Sequence, residues 1–121
     1  MRRRLLLLAV LAAALTATGV GVAAGAAKRG NPAVGKALFL RSGVFCASCH
    51  TLKAAGSTGR DGPNLDTARP SYAKIVELVS RGRNPSKRWP TGMPRYAGPN
   101  ALLTTAMIRD IATFVYGSTH R

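Results

Sequence analysis

The chain has 121 residues, with 18 Lys and Arg against 4 Asp and Glu, two cysteines and two histidines. That length allows one small domain. The composition excludes a disordered chain, a collagen-like chain and a disulfide scaffold.

The N-terminus reads as a targeting segment. Arg2, Arg3 and Arg4 form a charged start, Leu5 to Ala17 is an uninterrupted apolar run, and Val22 to Ala27 offers small residues suited to cleavage. We expect a signal peptide over residues 1–27, cut between Ala24 and Ala27, and a domain over 28–121. The competing reading is an uncleaved anchor, because residues 5–27 carry no charge and are long enough to span a bilayer. In both cases the arginines stay cytoplasmic and the domain is exported, to the periplasm or an equivalent extracytoplasmic space. Residues 28–121 hold 15 basic and 4 acidic residues, a formal net charge of +11. Export sets nucleic acid aside as a partner, and no basic run is interleaved with aromatics that would stack on bases. The charge serves either solubility or docking to an acidic surface.

Three helices follow from pattern and caps. Asn31-Pro32 is a helix start, Asn as cap and Pro at the first position, with the helix running to about Arg41 and stopping at Gly43. From Cys46 to about Arg69 the chain is rich in Gly, Ser, Thr, Asn and Pro and reads as loop after one short turn. Tyr72, Ile75, Val76 and Val79 fall on one helical face, predicting a helix over 71–81 ended by Gly82. Pro85, Pro90, Pro94 and Pro99 forbid regular structure between 83 and 100. A third helix is predicted over 104–116, capped by Thr104, ended by Gly117, with Met107, Ile108, Ile111, Ala112 and Val115 as its apolar stripe. Two long loops leave so few apolar residues for a core that a bound apolar group is expected between the helices.

Cys46-Ala47-Ser48-Cys49-His50 supplies the candidate group. C-x-x-C-H is the attachment signature of c-type haem. Two thiols three apart on a single turn reach both vinyl groups on one porphyrin edge, and the next residue projects an imidazole beneath the iron. A thioredoxin-like C-x-x-C requires a βαβ setting that this short chain lacks. A zinc site requires four ligands, and beyond Cys46, Cys49 and His50 there remains just the penultimate His120. A disulfide across two residues closes too small a loop to stabilise much.

Apart from Met1, the residues able to complete the iron's coordination are Met93, Met107 and His120. Met107 sits on or near an apolar helical stripe, where core packing accounts for it. Met93 stands in Thr91-Gly92-Met93-Pro94, where Gly92 allows close approach and Pro94 fixes the following backbone. Met93 is therefore favoured, with a plain core role as its alternative.

With these residues in place, the chain resembles the class I cytochromes c, particularly the small bacterial monohaem type, over residues 32–117. Gly35-Lys36-Ala37-Leu38-Phe39 resembles the family's N-terminal helix and Ile111-Ala112-Thr113-Phe114 the C-terminal helix that crosses it. Gly62-Pro63-Asn64-Leu65 is similar to the segment after the haem motif. The resemblance implies an all-α fold of three main helices and long loops around one covalent haem c, with close contact of Gly35 to Ile111 and Phe114. It also implies that the Pro63 carbonyl accepts from the His50 imidazole, that Leu65 packs on the ring, and that Met93-Pro94 is the axial-ligand loop. Trp89 is expected near a propionate. The stretch from Phe39 to Cys46 is longer than in the shortest members.

His50/Met93 coordination fills both axial positions, so the expected function is electron transfer and not catalysis. Arg81, Arg83, Lys87, Arg88 and Arg95 surround the Met93 loop, with no acidic residue from 78 to 109. This patch is expected to meet an acidic redox partner. The competing functions are a haem subunit fixed in a larger membrane oxidase or dehydrogenase complex, and an open-site haem protein with Met93 displaced.

Overall fold

A computed structural model describes residues 28–121. The expected signal segment, 1–27, lies outside the described residues, and so does the choice between cleavage and anchoring. No helix among the described residues is long and apolar enough to cross a membrane.

Five α-helices are present among the described residues. They are α1 (Pro32–Leu40), α2 (Cys46–Cys49), α3 (Leu65–Ala68), α4 (Tyr72–Arg81) and α5 (Thr105–Thr119). The three longest match the predicted ones; α1 and α5 begin at the expected caps, Asn31 and Thr104, and α4 is capped by Ser71, which was expected as a helical residue. Asn31 Oδ1 accepts from the backbone N–H groups of Ala33 (2.9 Å) and Val34 (3.2 Å). Ser71 Oγ accepts from Lys74 N and Thr104 Oγ1 from Met107 N, both at 3.2 Å. Each satisfies an N–H that the helix itself leaves unpaired.

Three expectations need correction. First, the chain is not purely helical. The segment read as loop folds into a two-stranded antiparallel hairpin, β1 (Thr51–Leu52) and β2 (Ser57–Thr58), joined by a 3₁₀ turn over Lys53–Ala55. Thr51 faces Thr58 and Leu52 faces Ser57. Second, α1 ends at Leu40, and Gly43, with φ +87°, serves the turn that follows it. Third, α5 runs through Gly117 to Thr119. The final turn is held by the buried Thr119, whose Oγ1 donates to the Val115 carbonyl (3.0 Å). Arg69 Nε donates to the Thr119 carbonyl (2.7 Å), satisfying an acceptor at the helix end. These bonds offset the roughly 1 kcal/mol that a helical glycine costs.

The core is one cluster in which α1 packs on α5 and α4 packs on α5. Leu38 and Phe39 come from α1, Ile75 and Val79 from α4, and Ile108, Ile111, Phe114 and Val115 from α5. Phe39 and Phe114 meet edge to face with ring centres 5.9 Å apart. The chain ahead of α1 is fastened to α5 as well, through Gly30 N to Thr113 Oγ1 (2.8 Å) and Asn31 N to Asp110 Oδ1 (2.6 Å). Gly35 is where α1 crosses α5: the nearest atoms to a Cβ there are the Asp110 carbonyl and Phe114 Cβ. The close partner is thus Asp110 with Phe114, where Ile111 was expected alongside Phe114.

Candidate haem site

The Cys46–Cys49 turn is held by the segment that follows it. Ser57 Oγ donates to the His50 carbonyl (2.8 Å), and Thr51 Oγ1 donates to the Gly59 carbonyl (2.9 Å). Gly59 lies against the backbone of Ser48 and Cys49, too close for any Cβ. Gly62 N donates to the Cys49 carbonyl (2.8 Å). The chain then reaches Pro63, whose carbonyl oxygen lies 2.8 Å from His50 Nδ1. With Nδ1 as donor, Nε2 is the ring nitrogen left free to bind a metal. A Cβ at Gly62 would stand 2.6 Å from His50 Cε1, so glycine is what lets the backbone lie against the imidazole.

Ahead of the motif stands a residue that no sequence signal marked. Phe45 caps α2 in the left-handed region, with φ +63°. For a bulky side chain this is a genuine outlier, costing roughly 1–2 kcal/mol. The residue is 54% exposed and also lines the cavity described next.

That cavity, about 370 Å³ in volume, adjoins the motif. Its lining brings together Cys46, Cys49, His50, Pro63, Leu65 and Met93, which are all the predicted site residues, and adds Trp89. Phe39, Ile75, Val79, Ile111 and Val115 supply apolar walls from α1, α4 and α5. The volume falls in the usual range for cofactor pockets, and the walls suit a planar apolar macrocycle. Two thiols and an imidazole at its edge suit thioether attachment and iron. The residues present therefore fit a haem. Met107 instead packs against the core, and His120 stacks on Tyr116 at 4.2 Å between ring centres; neither lines the cavity.

Met93 is positioned by its backbone. Arg83 N donates to the Met93 carbonyl and Met93 N to the Arg83 carbonyl, both at 2.8 Å, forming an isolated antiparallel bridge. Gly82 (φ +70°) and Gly92 (φ +67°) flank it, and a Cβ at Gly92 would stand 2.7 Å from the Arg83 carbonyl oxygen. Nearby, the buried Tyr96 hydroxyl donates to the Val44 carbonyl, tying this loop to the chain just before the motif. Burial pushes the Tyr96 phenol up to about 12, with further contributions from Cys46 and Cys49.

The thiol chemistry bears on the competing readings. Burial pushes the Cys46 thiol up to about 12. Burial first, then the Asp61 charge, raises Cys49. Both thiols are thereby held toward the neutral form. Among the described residues, no group of three or more His, Cys, Asp or Glu side chains is placed to hold a metal ion by itself.

Comparison with known proteins agrees with this site. The family model described as Cytochrome c matches residues 32–118. The crystal structure of the c-type cytochrome SorU from Sinorhizobium meliloti is similar, with 35% identity and a TM-score of 0.60 over 73% of this chain and 90% of that one. A comparison with curated proteins returned no match. The chain belongs to the cytochrome c family, whose members bind haem c covalently, and its Cys46 and Cys49 fit the family's attachment motif.

Proposed function

We propose that the chain is an exported carrier of single electrons, its haem held by Cys46 and Cys49 with His50 and Met93 as axial ligands. When bound, haem c supplies a one-electron iron couple whose potential is raised by a methionine ligand. The observation that carries this reading is that His50 and Met93 line one cavity and that each is fixed by its own bond. The Pro63 carbonyl orients the His50 ring. The Arg83 bridge sets the Met93 backbone. Two fixed ligands leave no position for a substrate and keep reorganisation small when the charge on the iron changes. The experiment is a spectrum of the matured protein. The oxidised form should show the far-red charge-transfer band of a thioether on ferric haem; its absence would favour an open site.

Arg81, Arg83, Lys87, Arg88 and Arg95 are all exposed, and the one ion pair among the described residues is Lys74–Glu77. These five cations offer an acidic redox partner an attractive field around the Met93 loop. Electron-transfer rates with such a partner should fall steeply as salt is added, because screening shortens the reach of that field. A flat salt profile in stopped-flow measurements would remove the docking role.

A further inference from the structure

We propose that Tyr96 is a positioning residue for the iron's methionine ligand: its hydroxyl straps the loop carrying Met93 to the segment carrying Cys46 and so resists displacement of the thioether by other ligands. The inference deepens the proposed function and rests on its assignment of Met93 to the iron. The cavity has two sides. Residues 44–65 form the attachment side and carry Cys46, Cys49 and His50. The facing side is α4 with the loop after it, which carries Met93.

The backbone of this loop is bonded to the end of α4 and to the residue just beyond it. Met93 pairs with Arg83, Tyr96 N donates to the Val79 carbonyl (3.1 Å), and Ala97 N donates to the Ser80 carbonyl (3.2 Å). These bonds make the loop move with α4 and do not hold it to the attachment side. Among the described residues, a single hydrogen bond joins residues 83–100 to residues 41–69, the one from the Tyr96 hydroxyl to the Val44 carbonyl. It ends two residues ahead of Cys46, beside the point of covalent attachment. Tyr96 is 4% exposed and Val44 1%, so neither group turns to water while the cavity stays closed. A buried donor or acceptor left without a partner is costly, which makes the strap either fully made or fully broken. Tyr96 stands three residues from Met93. Another ligand reaches the iron only when the Met93 loop lifts, and lifting the loop breaks this bond. The bond therefore favours the closed, methionine-ligated state by its differential contribution to the two states.

The test uses the matured, oxidised holoprotein and follows imidazole binding through the haem absorption. Tyr96→Phe keeps the ring and removes the hydroxyl. It should bind imidazole at about tenfold lower concentration, the effect of one buried hydrogen bond that displacement no longer has to break. Thr119→Val is the control. Thr119 is buried on α5, its hydroxyl bonds the Val115 carbonyl, and it does not line the cavity. Its loss should lower Tm and leave the imidazole titration at the wild-type position, which separates the strap from a general loss of stability. A second measurement needs no variant. The Tyr96 hydroxyl proton, shielded in the closed cavity, should give a slowly exchanging NMR signal that disappears when imidazole saturates the protein. The proposal is overturned if Tyr96→Phe binds imidazole no more tightly than Thr119→Val, or if the hydroxyl proton stays protected in the imidazole complex. A wild type that lacks the far-red band before any imidazole is added defeats the Met93 assignment itself, and the strap falls with it.

Discussion

Replacing Met93 with alanine should abolish the far-red band and let the reduced protein bind carbon monoxide. It should also lower the midpoint potential by a substantial part of the roughly 0.8 V over which axial ligands tune haem. The expectation follows from the division of labour at this residue. The thioether is the group offered to the iron, while the position of the loop depends on two backbone bonds of 2.8 Å to Arg83. Alanine removes the first and keeps the second. Helix content and the thermal transition should therefore change far less than the spectrum does. Met107→Ala is the matched control. Met107 packs against the core and does not line the cavity, so its loss should lower stability and spare the band. Persistence of the band in Met93→Ala, or its loss in Met107→Ala, would reverse the ligand assignment.

Met93 also shows which parts of the site could be read in advance. Its residue type and its setting between Gly92 and Pro94 marked a loop able to approach the cavity. The partner that holds it, Arg83, gave no signal, because a single pair of backbone hydrogen bonds leaves no periodicity in sequence. The same reason hid the hairpin. Strands of two residues are too short for alternation to show, and this one is held by Ser57 and Thr51 side chains bonding to backbone. Phe45 could not be anticipated at all: a left-handed aromatic contradicts local preference, and the fixed turn after it imposes the conformation. The three long helices were legible because caps and apolar faces act within a few residues of one another. Their ends were less so. Gly117 marks a stop by local preference, but Arg69, distant in sequence, bonds beyond it and carries α5 further.

The crossing of α1 and α5 gives the largest expected effect on stability. In an exposed helix, Gly→Ala raises stability by up to about 1 kcal/mol, since alanine is the better helix former. At Gly35 the sign should reverse. An added Cβ would overlap the Asp110 carbonyl oxygen and stand 2.9 Å from Phe114 Cβ. The obstacle is helix backbone, which cannot swing aside as a flexible side chain can. Asp110 is also the residue whose carboxylate holds Asn31 N at the start of α1, so forcing the helices apart strains the cap with the crossing. Overpacking of this kind typically costs about 1–3 kcal/mol. For a domain of this size each kcal/mol lowers Tm by roughly 4–8 °C. Gly35→Ala should therefore lower the Tm of the holoprotein clearly, and Gly35→Val more, with β-branching adding its own penalty in a helix. Phe39, Ile111 and Val115 at this junction also wall the cavity, so Gly35→Val should reduce the yield of haem-loaded protein. Gly43→Ala, at a turn glycine with open space around its Cβ, separates the two causes, because only backbone strain acts there. A Gly35→Ala protein as stable as wild type would mean that α1 and α5 can part without loss, and the close crossing would then not be what holds this small core together.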